Sequence, residues 1–311
     1  MDKIAFLFTG QGAQHIGMGK DICEKFPKAD SVFNEASDVL GFNIKKLVFE
    51  GKNEELMKTE NTQPSILTTS IATLRILQDA NINANFATGL SLGEYGAHIA
   101  SESLVFSQAV SLVKKRGKFM QEEVNEGIGG MAAILGLTDE EVKEICLFAS
   151  EKGIVEPANF NCPGQVVISG EILPLEYACE IAQERGAKKT ITLPISAPFH
   201  SSMLKGAGDK LSNELENINI NDMKIPIVSN VTGNFIKLKE EIKDLLVRQV
   251  SSPVFFGTSL RKLIDVGVKI FIEVGPGKAL GGFVKKIDPS AKTYSTENLS
   301  SLEEVLNEFS N

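Results

Sequence analysis

The sequence has no tryptophan, only three histidines and four cysteines, and it lacks any apolar stretch near the ~20 residues that a membrane-spanning helix requires. The cysteines stand at positions 23, 146, 162 and 179, and no two of them have the CxxC spacing of a zinc or redox motif. So few cysteines in a long chain are typical of reduced thiols rather than of a disulfide framework. These shortages predict a cytoplasmic protein that spans no membrane and holds no metal.

Basic residues are also the minority among the charged side chains. The chain carries 32 Lys and Arg against 40 Asp and Glu, a net charge of −8. This balance argues against nucleic acid as the main partner. The hydrophobic content of 42% excludes collagen-like, low-complexity and disordered classes. With 311 residues, the chain is long enough for two domains or for one large domain with an insert.

Apolar runs that end at glycine-containing turns alternate with segments of helical periodicity. The run 4–8 is short, continuous and closed by TGQG, which is typical of a buried parallel strand. Further strands are predicted at 86–88, 225–230 and 269–274. Helices are predicted at 65–77, after a proline suited to the first helical position, and at 92–99, 107–124, 244–250 and 258–266. This alternation predicts an α/β fold with a mainly parallel sheet.

The middle of the chain has a different pattern. In order, the segments 129–137, 138–153, 154–160, 165–170, 173–186 and 188–196 are predicted as strand, helix, strand, strand, helix and strand. Thr138 and Glu141 have the spacing of a capping box at the start of the first of these helices. The order β-α-β-β-α-β is that of a ferredoxin-like unit. We therefore expect a ferredoxin-like subdomain at 127–196, inserted into a hydrolase-like α/β core formed by 1–126 and 197–311.

The segment Gly89-Leu90-Ser91-Leu92-Gly93 lies between a predicted strand and a predicted helix. A G-x-S-x-G motif in this context is typical of a nucleophile elbow, in which a tight turn exposes the serine hydroxyl above a sheet edge. The helix N-terminus places backbone N–H groups beside that hydroxyl, so the Leu92 amide can serve as an oxyanion donor. A plain glycine-rich turn is the alternative interpretation of the motif.

A serine nucleophile needs a base, and the chain offers three histidines. His98 follows Ser91 by seven residues on the same predicted helix, about 10 Å further along, and is better explained as structural. His15 lies in the loop after the first strand, where a capping role is favoured. His200 directly follows the last strand of the insert, in a segment stiffened by prolines at 194 and 198. His200 is therefore the predicted base.

The sequence shows no evident acid to complete a triad. Acidic residues between positions 91 and 200 fall mostly on predicted helices, so a Ser–His dyad oriented by a carbonyl or amide is the simplest prediction. The loop 9–14 follows the first strand and is expected at the same sheet edge, where its backbone could supply a second oxyanion N–H. That loop lacks the glycine spacing of a phosphate-binding motif.

Arg116 lies on a long predicted helix, four residues after Leu112, and so on or beside the buried face. Buried arginines are rare unless paired. With no obvious acidic partner, Arg116 is a candidate for binding a substrate carboxylate through both guanidinium nitrogens. The alternative is an arginine at the helix end that extends to solvent.

Across nearly its whole length, the chain resembles the malonyl-CoA:acyl-carrier-protein transacylases and the acyltransferase domains of fatty-acid and polyketide synthases. The resemblance rests on FTGQGAQ (8–14), TQPS (62–65), GLSLGEY (89–95), KRGKFMQ (115–121), MAAILG (131–136), ANFNCPGQVVISG (158–170), SAPFHS (196–201), NVTG (230–233), RQVSSPV (248–254) and EVGPGK (273–278).

The resemblance implies a malonyl transfer from CoA to the phosphopantetheine thiol of acyl carrier protein in fatty-acid biosynthesis, with no cofactor and no metal. It implies Ser91 as nucleophile and His200 as base. It implies that the Gln11 and Leu92 amides form the oxyanion hole, that Arg116 binds the malonyl carboxylate, and that the main-chain carbonyl of Gln249 orients the histidine.

One residue departs from the family pattern and several functions stay open. The usual elbow reads G-H-S-L-G, whereas Leu90 precedes the serine here. A serine thioesterase or acyl hydrolase is an alternative that needs only water as acceptor. A malonyl transferase of a polyketide pathway and a carrier-protein docking module without activity are the others.

Overall fold

Two sheets form in the computed structural model, which describes residues 2–195 and 197–309. The strands are β1 (Lys3–Phe8), β2 (Phe86–Gly89), β3 (Gly129–Leu135), β4 (Val155–Cys162), β5 (Gln165–Glu171), β6 (Lys189–Thr192), β7 (Val268–Val274) and β8 (Lys292–Ser295). The helices are α1 (Lys20–Lys25), α2 (Pro27–Leu40), α3 (Ile44–Glu50), α4 (Asn53–Leu56), α5 (Thr59–Asp79), α6 (Gly93–Ala100), α7 (Phe106–Glu122), α8 (Asp139–Ala149), α9 (Ile172–Glu184), α10 (Lys205–Glu216), α11 (Glu241–Ser251), α12 (Phe256–Asp265), α13 (Ala279–Ile287) and α14 (Leu299–Phe309).

The first sheet is parallel and has the strand order β2-β1-β7-β8. The strands predicted at 4–8, 86–88 and 269–274 are confirmed. In the central register, Phe8 at the end of β1 lies beside Gly89 on one side and Val274 on the other. The loops after β1, β2 and β7 therefore leave the sheet at one edge, which is where parallel sheets place their sites.

The strand predicted at 225–230 is wrong. This segment makes only isolated bridges, a parallel one between Ile227 and Ala87 and an antiparallel one between Val228 and Phe235. Pro226 has no N–H to donate, and the chain turns at once, with the Gly233 amide donating to the Ser229 carbonyl. An apolar run was therefore too short to extend the sheet, although it covers the edge of β2.

Helix α5 starts earlier than predicted. It begins at Thr59 rather than after Pro64, and Pro64 lies inside it. Proline removes one helical hydrogen bond. Burial offsets that loss, because α5 is enclosed along most of its length.

The second sheet is antiparallel, with the order β4-β5-β3-β6, and it carries α8 and α9. Its apolar residues form a core cluster separate from those of the parallel sheet. The Thr138 hydroxyl accepts from the Glu141 amide, and the Glu141 carboxylate accepts from the Thr138 amide, so the predicted capping box is confirmed.

The last strand of this sheet is shorter than predicted. The prediction covered 188–196, but β6 ends at Thr192, and Ser196 lies outside the described residues. The Leu193 amide still donates to the Met131 carbonyl, 2.9 Å away. Pro194 follows, and because it has no N–H the ladder stops there. None of the helices in the described ranges has the length and apolar character needed to cross a membrane.

Candidate active site

Ser91 lies in a tight turn between the end of β2 and the start of α6. Its φ of 52° is in the left-handed region, which is strained for a non-glycine residue. The flanking glycines make this turn possible. A Cβ on Gly89 would lie 2.1 Å from the Gly93 carbonyl carbon, and a Cβ on Gly93 would lie 2.1 Å from the Phe8 oxygen. The hydroxyl is thereby held above the C-terminal edge of the parallel sheet.

His200 lies beside this serine although the two are far apart in sequence. Its Nε2 is 2.7 Å from the Ser91 Oγ, and its Nδ1 is 2.7 Å from the main-chain oxygen of Gln249. Because a carbonyl can only accept, Nδ1 carries the proton and donates to it. Nε2 is then unprotonated and can accept the serine proton. His200 also has a positive φ of 60°, so both members of the pair have strained backbones.

Burial, and then the nearby charge of Arg116, lower the pKa of His200 to about 3. The imidazole is therefore neutral near pH 7, which is the state that a general base requires.

Arg116 is 1% exposed and completes the cluster from α7. Its Nη1 donates to Gln63 Oε1 at 2.9 Å. Its Nη2 donates to Gln249 Oε1 at 3.0 Å and to Ser91 Oγ at 3.2 Å. Within residues 2–195 and 197–309, no carboxylate forms an ion pair with it. A buried guanidinium with neutral partners, next to a nucleophile, can bind an anionic substrate group.

Three residues of this cluster were not identified from the sequence. Asn230 Oδ1 accepts from the Ser91 amide at 2.7 Å, and its Nδ2 donates to the Gly89 carbonyl at 2.7 Å. Gln63 contacts the guanidinium, and the buried Glu94 contacts Asn230. Burial raises the pKa of Glu94 to about 7, although its hydrogen bonds oppose that shift. All three belong to motifs already noted, NVTG, TQPS and GLSLGEY, which was the available signal.

The cluster opens into a cavity of about 690 Å³ between the two sheets. Ser91, His200, Arg116 and Gln11 line it together with Leu90. The amides of Gln11 and Leu92 donate to no other residue of the described chain.

The other two histidines lie elsewhere. His98 Nδ1 is 2.8 Å from Ser103 Oγ in the core, and His15 Nδ1 is 3.3 Å from the Ala13 oxygen in the first loop. Among the described residues, no three His, Cys, Asp or Glu side chains are grouped as a metal site would require.

The comparisons with known proteins agree with one another. Residues 5–298 match the model of the acyl transferase domain. The malonyl CoA-acyl carrier protein transacylase of Bacillus subtilis is 47% identical, over 97% of this chain and 96% of that protein. The protein of the same name from Staphylococcus aureus (strain MRSA252) is 42% identical, over 96% of this chain and 97% of its own.

Solved structures show the same relationship. A crystal structure of malonyl CoA-acyl carrier protein transacylase from Clostridium perfringens superimposes with a TM-score of 0.95 at 49% identity, over 98% of this chain and 96% of that chain. A malonyl-transacylase in complex with a type II PKS acyl-carrier protein has a TM-score of 0.96 at 39% identity, over 98% of this chain and 99% of that one. On this evidence the chain belongs to the acyl transferase family.

Proposed function

We propose that this protein is an acyltransferase that moves a malonyl group from CoA to the phosphopantetheine thiol of acyl carrier protein. The observation that carries the proposal is the contact of one hydroxyl, Ser91 Oγ, with both a neutral imidazole and a buried guanidinium. The imidazole activates the nucleophile, and the guanidinium selects an acyl group with a free carboxylate. The names of the relatives support the same substrate and acceptor.

In the first half-reaction, Ser91 Oγ attacks the thioester carbonyl while His200 Nε2 takes the hydroxyl proton. Collapse of the tetrahedral intermediate breaks the C–S bond, and the sulfur leaves as CoA thiol with the proton from Nε2. The second half-reaction reverses these steps. The carrier thiol gives its proton to Nε2 and attacks the ester, and the Ser91 oxygen takes the proton back.

Gln249 fills the place that an acid takes in a triad. Its carbonyl accepts from His200 Nδ1 at 2.7 Å, so it fixes the tautomer and the ring orientation without adding a charge. The imidazolium formed during attack is stabilised by a dipole rather than by an anion. The intermediate's oxyanion is assigned to the amides of Gln11 and Leu92, since both are unoccupied and belong to loops at the same sheet edge.

Arg116 determines the acyl group. Burying an unpaired carboxylate costs several kcal/mol, so a site that accepts malonyl needs a fixed cation. The planar guanidinium can bind both carboxylate oxygens.

The subdomain organisation is part of the proposal. The sheet order β4-β5-β3-β6, with helices between β3 and β4 and between β5 and β6, supports a ferredoxin-like subdomain at 127–196. The hydrolase-like core would comprise 1–126 and 197–311, with the reaction in the cavity between them.

Fatty-acid biosynthesis in the cytoplasm is the proposed setting. The complex of a related transacylase with a type II PKS acyl-carrier protein keeps polyketide synthesis as a second candidate.

One incubation tests the function. The protein is mixed with radiolabelled malonyl-CoA and either holo acyl carrier protein or buffer alone. Label on the carrier supports the transferase. Release of free malonate at the same rate with and without carrier would instead identify a hydrolase, and no turnover in either case would identify a docking module.

A further inference from the structure

Glu94 is a buried carboxylate to which the reaction described above assigns no role. It lies in the first turn of α6, three residues after Ser91, and is 1% exposed. No Lys, Arg or His of the described residues forms an ion pair with it. A carboxylate in such a place must be held by hydrogen-bond donors.

Those donors are two groups that also hold the nucleophile. Glu94 Oε2 accepts from the Gln249 Nε2 and, at 3.1 Å, from the Asn230 amide. The Asn230 side chain in turn accepts from the Ser91 amide, and Gln249 Nε2 donates to the Ser91 carbonyl at 3.1 Å. The strained backbone of Ser91 is thus fixed on both sides by amides that Glu94 anchors.

The carboxylate also determines which end of the Gln249 amide faces the guanidinium. Because Nε2 is directed at Glu94, Oε1 is directed at Arg116 Nη2, 3.0 Å away. If the amide rotated by half a turn, its NH₂ would face the guanidinium donors and its oxygen would face the carboxylate. Both contacts would be repulsive, so an acceptor at position 94 excludes that rotamer.

We propose that Glu94 is a positioning residue that fixes the Gln249 side-chain amide and, through it, holds the Arg116 guanidinium in the orientation that binds the malonyl carboxylate. The inference rests on the proposed malonyl transfer. It assigns the role to the acceptor oxygen and not to the negative charge, since both contacts of Oε2 are to N–H donors.

Two substitutions at position 94 separate this role from a merely structural one. Glu94→Gln keeps an acceptor, because its two neighbouring donors require the amide to present its oxygen. Glu94→Leu removes the acceptor at similar volume. The readout is the malonyl-to-acetyl ratio of kcat/KM, since acetyl has no carboxylate for Arg116 to bind. A general loss of folded enzyme lowers both values equally and leaves this ratio unchanged.

We expect Glu94→Leu to lower the ratio by about ten- to a hundredfold, the scale of a misplaced binding group, whereas Glu94→Gln keeps the wild-type ratio. Glu273→Leu is the matched control. Glu273 is likewise 2% exposed, but it accepts from the Gly281 amide of α13 at 2.9 Å, so its loss should lower stability without changing the ratio.

An unchanged ratio in Glu94→Leu would overturn the inference, and so would a ratio that falls as far in Glu94→Gln. If Glu94→Leu does not fold, Gln249→Leu takes its place. That variant removes the oriented amide but keeps the backbone carbonyl, and it must show the same selective loss of malonyl transfer. Wild-type protein that transfers no malonyl would refute the proposed function itself, which is seen before any variant is compared.

Discussion

At the scale of single residues, Arg116 decides between a malonyl transferase and a general acyl transferase. Its guanidinium is fixed by Gln63 and Gln249, both neutral, so its charge is available to a ligand. We expect Arg116→Ala to lose malonyl transfer strongly while acetyl transfer holds or rises, because a neutral acyl group then no longer faces an unpaired buried cation. Arg116→Lys should be intermediate and closer to Ala, since an ammonium cannot bind both oxygens.

The measurement is kcat/KM for malonyl-CoA and acetyl-CoA in the three proteins. An equal fall for both substrates in Arg116→Ala would show that the residue is structural.

Sequence reasoning identified the residues whose side-chain chemistry is rare in context. Ser91 was found from its motif, His200 from the rigid segment around it, and Arg116 from its place on an apolar face. The partners Asn230 and Glu94 are ordinary residue types. What makes them part of the site is proximity across more than a hundred residues, as in the contact of Asn230 with the Ser91 amide. No local pattern encodes such a contact.

At the scale of elements, the packing of α6 against β1 leaves no room for a side chain on Gly93. A Cβ there would lie 2.1 Å from the Phe8 oxygen, which is backbone and cannot move independently. We expect Gly93→Ala to lower the free energy of unfolding by at least about 3 kcal/mol. Urea unfolding measures it.

Gly282, inside α13, is the control. Its Cβ would meet nothing within 4 Å, so Gly282→Ala should be neutral or stabilise by about 1 kcal/mol through helix propensity. Equal effects of the two substitutions would contradict the packing account.

His98 makes the stability of α6 depend on pH. Burial lowers the pKa of His98 to about 3, against 6.5 in the unfolded chain. The unfolded state therefore binds the proton first, and the contribution of a neutral His98 is fully present above pH 6.5 and is lost as pH falls toward 3. Relative to His98→Gln, the wild type should lose about 1.4 kcal/mol per pH unit in that window.

Unfolding free energies of both proteins, measured at several pH values, test this. A difference that does not change with pH would show that His98 titrates normally in the fold.

The elements that were predicted well are those fixed by local chemistry. The capping box at Thr138 involves residues three apart, and the short runs of β1 and β7 are apolar because both faces of the parallel sheet are covered. The segment 225–230 has the same composition, yet Pro226 and the following turn limit it to bridges. Pro64 was interpreted as a helix start, but tertiary burial lets α5 continue through it.

At the scale of the whole molecule, a net charge of −8 conflicts with binding an acidic carrier unless basic residues are concentrated locally. Three lysine clusters were candidates from the sequence. In the cluster on α7, Lys115 pairs with Glu214 and Lys118 with Glu122. These ion pairs reduce the charge that the cluster offers to a partner.

The other two clusters lie near one another. Lys188 packs against Gly136, whose amide donates to the Gly164 carbonyl, and Lys286 contacts Cys162 in the same turn. Lys188, Lys189, Lys285 and Lys286 are exposed, and within the described residues none of them forms an ion pair. We therefore expect the carrier to dock at the turn 162–164, next to the cavity.

Transfer to carrier protein should fall as salt rises, because attraction between exposed charges is screened within about 10 Å at 0.1 M. Transfer to free pantetheine should change less, and Lys188→Glu with Lys286→Glu should abolish the difference between the two acceptors. Rates measured from low to high salt with both acceptors provide the test. Equal salt dependence in the wild type would remove electrostatic docking from the account.

The central claim is that one serine carries the malonyl group between two thiols, and intact-protein mass spectrometry tests it most directly. After malonyl-CoA is added, the wild type should gain a single malonyl adduct, Ser91→Ala should gain none, and holo carrier protein should remove the adduct from the wild type as its own mass increases. An adduct on Ser91→Ala, or a wild-type adduct that the carrier cannot remove, would contradict the account.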